Sequence, residues 1–255
     1  MRALVLCSVL AAGPVAAQTE TAPETSPAPP VRPAESLAEE RPAPRITGEE
    51  EVTVADPPEM PDFRRVAAEP DVYAECLAAL DALGTVYGER ETIAEPDDRD
   101  CGIVNPVTVS QILPGVALSP PGPMRCETAR ALAEWTRDHV LPVTGRLPRR
   151  GALETLETGS TYVCRRRNNA EEGKPSEHSF GNAVDIMGMT FAEGPPLDIR
   201  LREGDGDLEE AAQRAIRGAA CIHFATVLGP GTDASHEDHL HLDVVQRRGD
   251  FRLCQ

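Results

Sequence analysis

The chain has 255 residues, with 42 acidic against 25 basic side chains and a formal net charge of −17. Such a surplus argues against nucleic acid and anionic lipid as partners, because both carry the same sign of charge. Seven cysteines make the compartment the next question, since an oxidising one favours disulfides and a reducing one does not.

Residues 1–17 read as a cleavable export signal. Arg2 supplies the positive start, Ala3 to Val15 the apolar run, and Val15-Ala16-Ala17 a small-residue cleavage site. The run is too short to span a bilayer, so no transmembrane anchor is expected after cleavage, and no lipobox precedes Cys7. The expectation is cleavage after Ala17, a periplasmic location, loss of Cys7 and a mature chain one unit more negative. Between Gln18 and Pro70, prolines, alanines and acids dominate, in runs such as Pro27-Ala28-Pro29-Pro30 and Glu49-Glu50-Glu51. A segment so poor in apolar side chains cannot offset its ordering entropy, and a disordered tether is expected over 18–70.

Residues 71–255 are enough for one domain with a substantial core. Val72, Leu77, Leu80 and Leu83 have helical spacing, with Gly84 as a stop. Ile103 to Pro120 alternates short apolar pieces with prolines, predicting short strands and turns. A long helix is predicted from Pro123 or Met124 to Val140, ended by Pro142. Strands are predicted over Leu153 to Arg165, with a turn, and over Ala183 to Met187, an apolar run interrupted by Asp185. Leu197 to Arg202 alternates as a half-exposed strand should, Asp207-Leu208-Glu209-Glu210 opens a capped helix to about His223, and His239 to Gln246 closes the domain as a strand. The mixture predicts an α+β fold, a small antiparallel sheet with flanking helices. Cys76, Cys101, Cys126, Cys164, Cys221 and Cys254 remain after cleavage. They are an even set for which disulfides are expected, and the sequence does not choose among the fifteen pairings.

Two stretches concentrate four of the six histidines: Ser176-Glu177-His178-Ser179-Phe180-Gly181-Asn182-Ala183-Val184-Asp185 and His236-Glu237-Asp238-His239-Leu240-His241-Leu242-Asp243. A divalent ion needs a few neutral imidazoles and a carboxylate converging from separate segments. On a strand, residues two apart share a face, so His239 and His241 can look into one cleft. Asp185 is an acid on an inner strand, where a bound cation would offset the cost of burying it. His178 lies beyond a turn in which Gly181 permits a sharp bend.

These stretches resemble the motifs of the zinc D-alanyl-D-alanine peptidases, which share a metal fold with the hedgehog signalling domain. Ser176-x-His178-x-x-Gly181-x-Ala183-x-Asp185 is similar to their first motif and His236-x-Asp238-His239-x-His241 to their second. More narrowly, the stretch from about Cys101 to Cys254 resembles the bacterial extensin-like C-terminal domain family. The residues that carry this are Cys101-Gly102, Cys126 with Trp135, Tyr162-x-Cys164-Arg165, the two histidine motifs, Val227-Leu228-Gly229-Pro230 and Asp243.

The resemblance implies a hedgehog/D,D-peptidase-like fold and a zinc peptidase of peptidoglycan peptides. His178, Asp185 and His241 would be its zinc ligands and Asp238 the general base. His236 and His239 would line the site, and Arg165 would hold a substrate carboxylate or polarise the scissile carbonyl. Many relatives use glutamate where this chain has Asp238, and Arg166 and Arg167 stand beside Arg165. The competing reading is a metal-stabilised, non-catalytic wall-binding module. A cysteine nucleophile is disfavoured because Cys164-Arg165 lacks the Ser/His-Gly approach of the L,D-transpeptidase motif. His139 and His223 read as ordinary helix residues.

Overall fold

The computed structural model describes residues 63–202, 204 and 206–255. The expected export signal, and the tether as far as residue 62, lie outside the described residues. The tether's expected end does not hold: Phe63–Val66 form a 3-10 turn with Phe63 buried, packed on the domain beside Gly102. One large aromatic ring is enough to draw this end of an otherwise polar segment onto the core.

The first helix, α1 (Pro70–Leu83), starts and stops where local chemistry says it should. Pro70 sits in the first turn, where its missing N–H costs nothing, and Gly84 closes the helix in the left-handed region at φ 74°. Strands β1 (Val86–Glu89), β2 (Ile93–Glu95), β3 (Asp98–Ile103), β4 (Val107–Leu113) and β5 (Val116–Met124) come next along the chain. The predicted helix to Val140 is then found as three pieces: α2 (Cys126–Trp135), a π turn (Thr136–Val140) and α3 (Leu141–Thr144). Pro142 does not end it. The N–H of Leu141 bonds to the Thr136 carbonyl five residues back, and this wider turn makes room for a proline that an ordinary α-turn would reject.

Then come β6 (Leu153–Thr158), β7 (Ala183–Phe191), β8 (Leu197–Asp198), α4 (Leu208–His223), β9 (Thr226–Leu228), β10 (Leu240–Asp243) and β11 (Leu253–Cys254). The strand expected over Leu197 to Arg202 shortens to two residues, and β10 is shorter than the expected His239 to Gln246. Helix α4 is capped as predicted, the Asp207 carboxylate accepting the Glu210 N–H at 2.8 Å.

The sheet is not small. Nine strands join in the order β1-β4-β5-β6-β7-β10-β9-β11, with β8 also on β7, and β2 and β3 form a separate pair. Pairing is antiparallel except for β5 with β6 and β9 with β11. The fold is therefore mixed α/β, a large and mostly antiparallel sheet with few helices. Its core joins Leu80 of α1 and Trp135 and Leu132 of α2 to Ile216 of α4 and to the buried faces of β4, β7 and β10. Trp135 donates its indole N–H to the Ile216 carbonyl at 2.9 Å and stands edge-on to Phe224, binding α2 to α4.

Three disulfides resolve the pairing left open by the sequence: Cys76–Cys126 ties α1 to α2, Cys101–Cys164 ties β3 to the segment after β6, and Cys221–Cys254 ties the end of α4 to β11. No helix among the described residues is long and apolar enough to cross a membrane. Strands β7 and β10, neighbours in the interior of the sheet, carry Asp185 and His241.

Candidate metal centre

The site begins with a turn. Glu177–Phe180 make one turn of 3-10 helix, and Gly181 reverses the chain at φ 66° before β7. A side chain there would be strained twice over, by that φ and by the Ile103 Cδ1 atom, which crowds the place its Cβ would take. The bend places His178, wholly buried, over the start of β7. Antiparallel pairing of β7 with β10 then puts His241 directly opposite Asp185.

Three donor atoms meet. His178 Nε2 lies 3.1 Å from His241 Nδ1 and 3.2 Å from Asp185 Oδ1, and His241 Nδ1 lies 3.0 Å from the same oxygen. A tetrahedral ion with bonds of about 2.0–2.1 Å spaces its donors by roughly 3.3 Å, so the cluster is of the right size for one. The tautomers also fit. His178 Nδ1 is 3.2 Å from the Thr161 carbonyl, which can only accept, so this nitrogen carries the proton and Nε2 offers its lone pair. His241 Nε2 is 3.3 Å from Asp243 Oδ2, which leaves Nδ1 turned to the cluster. Carbonyl and carboxylate partners of this kind orient metal-binding imidazoles and raise their basicity.

The electrostatics say the same. Burial alone would push the Asp185 carboxyl up, but the His178 and His241 imidazoles beside it outweigh burial and hold that group well below the usual carboxylate range. Burial would likewise push His241 down, yet Asp185 and Asp243 outweigh it and raise the imidazole to about 9. The pocket thus demands positive charge at His241 Nδ1, supplied by a proton or by a cation. Two imidazoles and one carboxylate leave a divalent ion with net positive charge and an open position. The residues present fit such an ion, and among the described residues the other candidate group, Asp98 with Cys101 and Cys164, has its sulfurs locked in a disulfide.

A cleft of about 490 Å³ opens over the cluster, with His236, His239, Arg165 and Ser160 in its walls. A cavity of about 510 Å³ between Arg150 and the start of α4 is as large but has no histidine in its walls. His239, one residue before β10, keeps the orientation that period-two spacing predicts, with Nε2 3.7 Å from Asp185 Oδ1. His236 lies 5.7 Å ring to ring from His241. Burial pushes its imidazole down, against the raising effect of Asp233, whose Oδ1 is 2.8 Å from Nδ1.

Asp238 is placed differently from expectation. Its side chain is 75% exposed, it is absent from the cleft walls, and its Oδ1 is 2.9 Å from His239 Nδ1. It touches the site through His239, because it sits on the loop before β10, where the strand's alternation does not govern direction. Arg165 is distinguished from its neighbours: Arg166 pairs with Asp98 and Asp100, and Arg167 with Glu177, while Arg165, in the cleft wall, has no acidic partner among the described residues.

The profile of the family described as Extensin-like protein C-terminus matches residues 74–255. The chain belongs to that family. No curated protein and no solved structure matches it significantly.

Within this extensin-like domain, Asp243 carries part of the family resemblance but is given no role by the sequence reading. It is buried and accepts from the Thr226 hydroxyl at 2.8 Å and the Val245 N–H at 3.1 Å. Burial would raise its carboxyl, but His241 and these donors hold it below the ordinary range. A signal for it exists in the sequence: Asp243 is two residues after His241 on one strand, and so on the same face.

Proposed function

We propose that this chain is a zinc-dependent peptidase of the periplasm, cutting D-alanine-containing stem peptides or cross-links of peptidoglycan. The observation that carries the reading is the convergence of His178 Nε2, His241 Nδ1 and Asp185 Oδ1 at 3.0–3.2 Å, on motifs that resemble those of the zinc D-alanyl-D-alanine peptidases. A large, mostly antiparallel sheet with few helices accommodates the hedgehog/D,D-peptidase-like architecture that the resemblance implies.

When bound, zinc would supply Lewis acidity and bring the pKa of water towards neutrality. The chain's own residues do the rest. Thr161 and Asp243 fix which nitrogen each ligating imidazole presents. Asp238 holds the proton on His239 Nδ1, so that Nε2, facing the cluster, takes and returns a proton during amide hydrolysis. Asp238 therefore acts by positioning His239 rather than by touching the reacting atoms. Arg165 supplies a cation to a substrate carboxylate or to the scissile carbonyl.

The exposure of Asp238 favours a second reading, a metal-stabilised wall-binding module without turnover. Incubating purified peptidoglycan fragments with the zinc-loaded chain, with and without chelator, and weighing the products by mass spectrometry separates the two. New peptide ends that vanish with chelator support the peptidase. Bound but uncut fragments support the module.

A further inference from the structure

The cleft over the histidine cluster holds side chains that zinc binding and proton transfer leave idle. Ser160, Asn168, Asn169 and Ser235 stand in its walls, and none of their side chains has a hydrogen-bond partner among the described residues. Asp185 is the one acid among the described residues of those walls, and no tyrosine, tryptophan or phenylalanine ring stands there. Neutral side chains that both donate and accept suit an uncharged ligand with donors and acceptors of its own. Water serves them in the free protein, and a ligand that reproduces its bonds can displace it. The lack of a flat aromatic face favours a peptide over sugar rings, which stack on such faces.

The two asparagines lie on a loop, residues 165–176, that is pinned at its base. The Ser176 N–H donates to the Arg165 carbonyl at 3.0 Å and the Arg167 N–H to the Lys174 carbonyl at 3.0 Å. Arg166 donates to Asp100 at 3.0 Å, and Cys164, just before the loop, is bonded to Cys101 of β3. Beyond this base both asparagines are left-handed, at φ 53° and 56°. Asparagine bears that backbone better than other side chains do, but glycine bears it without strain, as Gly173 does at φ 115° in the same loop. The backbone therefore accounts for the absence of a bulky residue at 168 and 169, and the two carboxamides in the cleft wall are left to be explained.

We infer that Asn168 and Asn169 bind the backbone of an extended peptide lying in the cleft. In an extended chain the N–H and C=O of one residue point to the same side, and a carboxamide can accept from the first while donating to the second. The pinned base holds the two carboxamides ready, which lowers the ordering cost of binding. The inference takes its ligand from the peptidase reading and adds to it that the stem peptide is recognised through its backbone, apart from any charged end.

The test needs no turnover. N-acetyl-tri-D-alanine amide, which has no charged end, is titrated calorimetrically into the full chain stripped of metal, beside an analogue whose inner amides are replaced by esters. The peptide is expected to bind, and the ester analogue, which lacks the N–H donors, about fivefold or more weaker. Asn168→Gly and Asn169→Gly keep the left-handed backbone and remove only the carboxamide, and each is expected to weaken the peptide by about fivefold. Asn168→Asp and Asn169→Asp, which cannot donate, are expected to weaken it as well. No binding of the peptide, equal binding of the ester analogue, or unchanged affinity in the glycine variants would overturn the inference, the last being the result for asparagines kept for their backbone alone. Tighter binding of a β-1,4-linked N-acetylglucosamine tetramer, lost in the same variants, would overturn it in favour of a sugar. Failure of the peptidase reading looks different: the stripped chain binds the peptide through its asparagines, while the zinc-loaded chain cuts no peptidoglycan.

Discussion

The floor of the site and its rim are built from the same residue types to different effect. On the floor, His178, Asp185 and His241 are 0%, 5% and 9% exposed, and the last two are locked opposite each other by the β7–β10 register. On the rim, His236 and His239 hang on the loop before β10, each held by an aspartate whose side chain is 43% or 75% exposed. An aspartate–histidine pair also occurs on the floor, where Asp243 with a 4% exposed side chain holds His241. Buried, such a pair fixes a tautomer with little competition from water. Exposed, it is screened and leaves the imidazole free to exchange protons. The floor is thus suited to gripping an ion and the rim to moving protons beside it.

Breaking the floor should have the largest effect. His178→Ala or Asp185→Asn is expected to abolish stoichiometric zinc and bring hydrolysis to the level seen with chelator, measured by elemental analysis and by fragment release. Breaking the rim should leave zinc in place. Asp238→Asn and His239→Ala are each expected to slow hydrolysis by about 10²–10⁴-fold at unchanged zinc content, and the double variant by little more, since the two act as one unit. Loss of zinc in either rim variant would erase the distinction between the regions.

The buried and exposed pairs can be set against each other directly. Asp243→Asn should weaken zinc binding by about 10–100-fold, whereas Asp233→Asn on the rim should change it by no more than about twofold. Competition with a chelating dye reads both.

The smallest effects are those on stability and its pH dependence, measured by urea unfolding of the metal-free chain. Asp243 has its folded pKa depressed, so the stability it contributes is present above its unfolded value of about 3.9 and is lost as pH falls through the lower folded value. Asp243→Asn should therefore cost more at neutral pH than in acid. Glu177 behaves in the opposite sense, because burial raises its carboxyl. Its contribution is present below about 4.3 and is lost as pH rises through the folded value, so Glu177→Gln should be tolerated better at neutral pH than in acid. Asp238→Asn, on the exposed rim, should move stability by less than about 0.5 kcal/mol at either pH.

The same contrast between floor and rim explains how much of the molecule is legible in its residues. His178, Asp185 and His241 are legible because a glycine-permitted bend and strand alternation govern where they point, and the ends of α1 and α4 because Gly84 and Asp207 act locally. Asp238 is not, because it sits on a loop, where spacing carries no direction. The size of the sheet is hidden because β1, β9 and β11 have four, three and two residues, too few for alternation to show, and form only through partners distant in sequence. Pro142 misleads because the π turn that accommodates it has no signature in side-chain periodicity.

Zinc content of the purified chain, counted per molecule beside the His178→Ala, Asp185→Asn and His241→Ala variants, reaches the central claim most directly. One zinc per chain, absent from all three variants while their far-ultraviolet spectra stay native, is the predicted result. A folded wild-type chain that takes up no zinc when offered it, or variants that retain a full equivalent, would contradict it.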